Sequence, residues 1–199
     1  MNILRSAMLL SLIFLLALLI NSCNSGHSPL PRGYVRIDLP QKEYRSFDTI
    51  YPYSFQYPVY GKIVPDKRSS AEPWWADVVF PQYKATIHLS YKQVGSKEEL
   101  YGYFEDGRNF VNKHIPKSTG FNERVYVNQE NSVFGILYEI RGPEAASPYQ
   151  FYLTDSTSHF LRGALYFNLS PNNDSLAPVI NFLHEDILYL IESLQWKEN

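Results

Sequence analysis

From Tyr53 onward the chain alternates between two hydrophobic rhythms, and their order predicts the architecture. Tyr53, Phe55 and Tyr57 alternate with Ser54 and Gln56 up to Pro58, the pattern of a short strand. Val59–Pro73 is polar and reads as a loop; Trp75–Phe80 is an apolar run stopped by Pro81. In Ala85–Tyr91, Ile87, Leu89 and Tyr91 point one way and Thr86, His88 and Ser90 the other, which predicts a half-buried strand. Phe80–Tyr83 then reads as the turn of a hairpin. Over Ser96–His114 the period changes to that of a helix. Ser96 and Glu99 have capping-box spacing, and Leu100, Tyr103, Phe104, Phe110, Val111 and His114 share a face. Gly102 and Gly107 weaken this helix by about 1 kcal/mol each, and Pro116 ends it.

Four more strands are predicted: Glu123–Asn128, Ser132–Arg141, Tyr149–Thr154 and His159–Leu169. The last two are apolar on both faces and joined by the polar turn Asp155–Ser158, so they belong at the centre of a covered sheet. Asn172–Ser175 caps a second helix, with Pro178 in its first turn. Its buried stripe is Val179, Phe182, Leu183, Ile187, Leu190, Ile191 and Leu194, and Trp196 closes the core. Adjacent strands in series favour antiparallel pairing, which predicts an α+β fold: an antiparallel sheet of about six to seven strands with two main helices packed on it.

The first fifty residues follow other rules. Arg5 precedes the apolar run Met8–Ile20, which is shorter than the roughly 20 residues of a membrane-spanning helix. Residues 1–22 therefore read as a secretory signal peptide. Leu19-Ile20-Asn21-Ser22-Cys23 resembles a bacterial lipoprotein box, in which the thiol of Cys23 is acylated and Cys23 becomes the N-terminus. Two or more acyl chains anchor stably where one does not, so residue 23 is the predicted attachment point to the membrane. Residues 23–50 carry Pro29, Pro31, Gly33 and Pro40 among polar positions and read as the lipidated N-terminus and a tether. Tyr34, Val35, Ile37 and Leu39 are too apolar for a purely solvated linker, so part of it docks on the domain that follows, residues 51–199.

Cys23 is the only cysteine, so no disulfide staples the domain. A formal net charge of −2 without a basic tract argues against nucleic-acid binding. The 16 Tyr, 12 Phe and 3 Trp suit strands and also protein interfaces.

Chemistry is sparse. His184-Glu185 begins like a zinc-protease helix, but Leu188 stands where the second histidine belongs. No metal-ligand spacing, nucleophile elbow or phosphate loop appears, which predicts no cofactor, no metal and no enzyme. His114 reads as a residue at a helix C-terminus, favoured there by the dipole. Asp155, His159 and Arg162 cluster around one hairpin and form the alternative polar site, either as a relay or ligand-binding set or as turn and ion-pair residues with Arg162 facing an acid. Gly163 marks a bulge or a close approach. Of Trp74-Trp75, one belongs to the core and the other faces a partner. Trp74, Trp75, Tyr34 and Arg162 are the candidate partner-binding residues.

The segments Pro31–Pro40, Pro52–Pro58, Thr86–Tyr91, Thr154–Asn168 and Asp174–Val179 together resemble the GldD family of gliding-motility lipoproteins of Bacteroidetes, over nearly the whole mature chain. That resemblance implies an envelope lipoprotein of the gliding machinery, linked to the type IX secretion apparatus. It implies lipid-anchored residence in the cell envelope, other gliding and secretion proteins as partners, and no known catalytic residues. Asn24–Ser28 carries no acidic run after the cysteine, unlike surface-exported lipoproteins, so the domain is expected in the periplasm. Phe55–Pro58 opening the domain, and the placing of the helices, are similar to the PsbP/Mog1-like sandwich.

Overall fold

The period-two segments become strands of two antiparallel sheets, and the period-3.6 segments become two helices on opposite faces of the larger one. A computed structural model describes residues 37–197, which belong to a compact unit beginning at Ile37. In chain order the elements are β1 (Tyr44–Phe47), β2 (Tyr53–Pro58), β3 (Lys62–Pro65), β4 (Ala76–Phe80), β5 (Ala85–Gln93), α1 (Lys97–Asn112), β6 (Gly120–Asn128), β7 (Val133–Arg141), β8 (Tyr149–Thr154), β9 (His159–Phe167), α2 (Asn173–Glu192) and β10 (Gln195–Trp196).

Seven strands form the main sheet in the order β3-β4-β5-β9-β8-β7-β6, every pair antiparallel. Hairpins build its two halves. The long-range pairing of β5 with β9 joins them, in a register running from Ala85↔Phe167 to Gln93↔His159. Both strands have apolar side chains on at least one fully covered face, so this pairing is the centre of the sheet. The segment Tyr53–Pro58 does not join that sheet. It is the middle of a second sheet, β1-β2-β10, which with α2 covers one face of the first.

The main core lies between these layers. Tyr53 and Phe55 from β2, Ile87 and Leu89 from β5, Leu161 and Leu165 from β9, and Leu183 and Ile187 from α2 are all buried. Each such side chain contributes about 1.5–3 kcal/mol by leaving water. On the opposite face α1 covers β7 to β9 through Leu100 and Val111, which meet Phe160 and the Tyr138–Ile140 pair in two smaller clusters. Gly163 is a close approach: a Cβ there would stand 2.1 Å from Cζ of Phe151 on β8, so the ring occupies that space.

Several boundaries differ from the sequence reading. β1 lies inside the segment read as tether, and the folded unit starts at Ile37 rather than near residue 51. β3 lies inside the segment read as the loop Val59–Pro73. Both are short edge strands with mostly exposed side chains, so neither carries the apolar alternation that marks a strand. Pro178 sits in the second turn of α2, not its first, because the N-cap is Asn172. Val125 and Val127 of β6 share a face as expected, but β6 is an edge strand and both remain exposed.

Candidate functional site

α1 starts firmly and covers the sheet only in part, and this combination makes the site. Ser96 Oγ accepts from Glu99 N at 3.2 Å, and Gly95 N donates to Glu99 Oε2 at 2.8 Å, satisfying the first turn of the helix. From there α1 crosses β9 and β8. The polar faces of β5 and β9 beside it stay uncovered, and the Asp66–Trp75 connection walls the far side. The result is a cleft of about 630 Å³ whose lining includes Arg68, Trp75, His88, Lys92, Phe110 and Arg162. Its size is that of a small-molecule pocket.

The charges of the cleft are unequally matched. Arg68 Nη2 meets Asp66 Oδ2 at 2.5 Å, and that hydrogen-bonded contact holds the Asp66 carboxyl below the usual carboxylate range. His88 Nδ1 lies 2.6 Å from Asp77 Oδ1, and Lys92 pairs with Glu72. Arg162 differs. Its Nη2 donates to Gln150 Oε1 at 2.6 Å, and its Cζ lies 4.4 Å from the centroid of the Phe110 ring. Among the described residues no carboxylate stands within ion-pairing distance of it. Burial pulls the Arg162 guanidinium below its usual value, the Tyr166 hydroxyl acting in the opposite sense. Gln150 is itself only 1% exposed, and its Nε2 has no partner.

The three polar residues of the β8–β9 hairpin are not brought together. Asp155 serves the turn: its Oδ1 accepts from the N–H groups of Thr157, Ser158 and His159 at 2.8–2.9 Å, and its Oδ2 from Thr157 Oγ1 at 2.6 Å. Burial alone would raise its carboxyl, but these donors outweigh burial and hold it below the usual value. His159 faces the main core. It shares a 2.8 Å hydrogen bond with the Tyr91 hydroxyl and stacks on Trp196 at 5.0 Å, and burial pushes its pKa down. Three residues later in a strand the side chain points to the other face, so Arg162 enters the cleft alone. The acid expected opposite Arg162 is replaced by the Gln150 amide.

The tryptophans divide. Trp75 lines the cleft, half-buried, with Nε1 donating to Tyr91 O at 2.8 Å. Trp74 is exposed and adopts φ of 69°, a strained conformation for a bulky residue, with its carbonyl held by the Tyr53 hydroxyl at 2.7 Å. Tyr34 and Cys23 lie outside the described residues. His88, Lys92, Arg68 and Phe110 had not been singled out as site residues. The alternation Thr86-His88-Ser90, continued to Lys92, was the available signal, since it places polar groups on one uncovered face.

A second polar cluster was also missed, on the α2 side. The carboxylate of Asp186, 1% exposed, accepts from Lys42 Nζ at 2.7 Å, Tyr44 OH at 2.9 Å and Tyr60 OH at 2.6 Å. Lys42 also donates to Phe182 O at 2.6 Å, so the chain entering the domain is fastened to α2.

Among the described residues no group of three or more His, Cys, Asp or Glu could hold a metal ion, and no helix is long and apolar enough to cross a membrane. Among solved structures, that of cyanobacterial PsbP (CyanoP) from Synechocystis sp. PCC 6803 is similar, with 12% identity, a TM-score of 0.48, and 81% of this chain and 97% of that chain covered. No curated protein matches the sequence. The family model described as gliding motility lipoprotein GldD matches residues 24–196, from just after Cys23 to the last strand of the fold. On that match the chain belongs to the GldD family of gliding motility lipoproteins.

Proposed function

We propose that the protein is a non-catalytic binding component of the gliding machinery and of the type IX secretion apparatus, held on a cell-envelope membrane by acylated Cys23 with its domain in the periplasm. The family match over residues 24–196 carries the reading. The geometry supports a binding role over a catalytic one. Asp155 spends its carboxylate on a turn, and His159 is committed to the core, so neither can work with Arg162. The contact surface of this reading is Trp74 together with Trp75 and Arg162 of the cleft; Tyr34, the fourth candidate, lies outside the described residues. Trp74 is the anchor: an exposed aromatic in a strained backbone is pre-organised and loses little entropy on binding.

Crosslinking and capture from envelopes is the test. Wild-type protein should recover gliding or secretion proteins, and Trp74→Ala should recover several-fold less with unchanged thermal stability. Cys23→Ala should move the protein out of the membrane fraction. Recovery of no such protein by the wild type, or undiminished recovery by Trp74→Ala, refutes the partner surface; unchanged membrane fractionation of Cys23→Ala refutes the anchor.

A further inference from the structure

We propose that the cleft between α1 and the β5–β9 face is a binding site for a small organic monoanion, a carboxylate carried on an aromatic or apolar body. Arg162 carries the inference. A guanidinium placed mid-strand beneath a helix is costly unless a counter-charge meets it, and an apolar residue at that position would be cheaper to bury. Every other basic side chain singled out in the lining stands against its own acid: Arg68 against Asp66, His88 against Asp77, and Lys92 against Glu72. Arg162 has none among the described residues; Asp106, which also lines the cleft from α1, forms no ion pair with it.

Arg162 is also held in readiness. Gln150 Oε1 fixes one Nη2 hydrogen at 2.6 Å, and the Phe110 ring supports the guanidinium plane at 4.4 Å. Gln150 is buried at the register position opposite Ala164, and its amide oxygen is committed to Arg162. This clamp fixes the orientation of the fork before any ligand arrives, which lowers the entropy cost of binding. A planar fork with free donors matches a carboxylate edge. A single uncompensated positive charge matches a monoanion, whereas a phosphate dianion would need a second free cation.

The rest of the cleft describes the ligand's body. Trp75, Tyr103, Phe110 and Phe160 supply ring faces, and about 630 Å³ accommodates a ligand of drug-like size or smaller. Ser90, in register with Arg162, adds a hydroxyl at the floor. The cleft shares Trp75 and Arg162 with the partner surface, but Trp74 lies outside its lining. Loss of capture in Trp74→Ala therefore reads the partner surface alone and small-molecule binding reads the cleft alone, and the two readings can fail separately.

Isotope-labelled protein in lipid nanodiscs, titrated with 4-phenylbutyrate, indole-3-propionate, 4-phenylbutyramide and inorganic phosphate, tests the proposal, with empty nanodiscs as the partitioning control. Both carboxylates should shift the Trp75 indole N–H and the Arg162 Nε–H saturably. The amide should bind at least about tenfold more weakly, and phosphate should leave both signals in place. Arg162→Gln should weaken the carboxylates by about 10- to 100-fold, the range of one charge-assisted contact, and leave the amide unchanged. Phe110→Ala, on an exposed helix position, keeps the fold if Arg162→Gln does not, and should weaken the carboxylates several-fold. The proposal is overturned if neither carboxylate saturates by about 10 mM, weaker than a built site should be. Equal binding of acid and amide, binding of phosphate at the same signals, or unchanged carboxylate affinity in either variant overturns it too.

Discussion

Replacing Lys42 by Met tests whether the entering chain is locked to α2 by charge or merely lies on it. Breaking a fully buried ion pair by removing one partner costs about 3–5 kcal/mol, because the remaining charge is stranded. Here the Asp186 side chain is 1% exposed and the Lys42 side chain 21%, so the lysine never leaves water completely. Tyr44 and Tyr60 continue to donate to the carboxylate, and a methionine keeps the stem against the Phe182 ring, whose centroid lies 3.5 Å from Nζ. These features lower the expected cost to about 2–3 kcal/mol, or a fall in Tm of about 4–10 °C for a domain of this size. Asp186→Leu should cost a similar amount, because two tyrosine hydroxyls lose their acceptor. The double variant should cost less than the two singles together by at least about 1 kcal/mol, since the second change removes a group already stranded by the first. Urea denaturation of the unacylated chain from Asn24 onward measures all four proteins. A cost below about 0.5 kcal/mol for Lys42→Met, or strict additivity in the cycle, refutes the claim that this contact is an energetic link.

Three other perturbations have defined outcomes. Gly163→Ala drives a Cβ to 2.1 Å from the Phe151 ring, so it should cost about 3 kcal/mol or more by overpacking; a variant with wild-type urea midpoint would show that the ring moves freely. Asp155→Ala removes the acceptor of four hydrogen bonds and should cost about 1–3 kcal/mol, with faster amide exchange at Ser158 and His159; unchanged exchange there would contradict the turn role. His159, His184 and His114 all have pKa values lowered by burial, so the unfolded chain takes up protons first as pH falls. Stability is therefore full above the unfolded value near 6.5 and declines as pH falls below it, and His159→Gln should flatten the decline; a urea midpoint that rises from pH 7 to about 5 refutes this.

How much was legible in the sequence depended on whether information was local. β5 and both helices carry periodicity because one face of each is pressed against a core, and β7, β8 and β9 are apolar runs bounded by turns, so their positions were readable within a few residues. β1 and β3 were not, since an exposed edge strand needs no apolar alternation. The helix caps at Ser96 and Asn172 were legible for the same local reason: the side chain bonds a backbone N–H three residues on.

The site divides along the same line. Asp155, His159 and Arg162 are neighbours in sequence, but strand geometry places His159 in the core and Arg162 in the cleft, which a clustering argument misses. What assembles around Arg162 is remote: Gln150 across the β8–β9 pairing, Phe110 from α1, and His88 and Lys92 from β5. Asp186 likewise meets Lys42, Tyr44 and Tyr60 from more than a hundred residues away.

By itself, the sequence determined the kinds and order of the elements, the antiparallel α+β class and the lipoprotein-box pattern ending at Cys23, because these rest on spacing along the chain. Only the tertiary structure decided that β2 leaves the main sheet, that the entering chain is fastened to α2, and that one arginine faces a cleft without a counter-charge. Those outcomes depend on which faces meet after the β5–β9 pairing closes, and pairing across some seventy residues leaves no periodic mark on either strand.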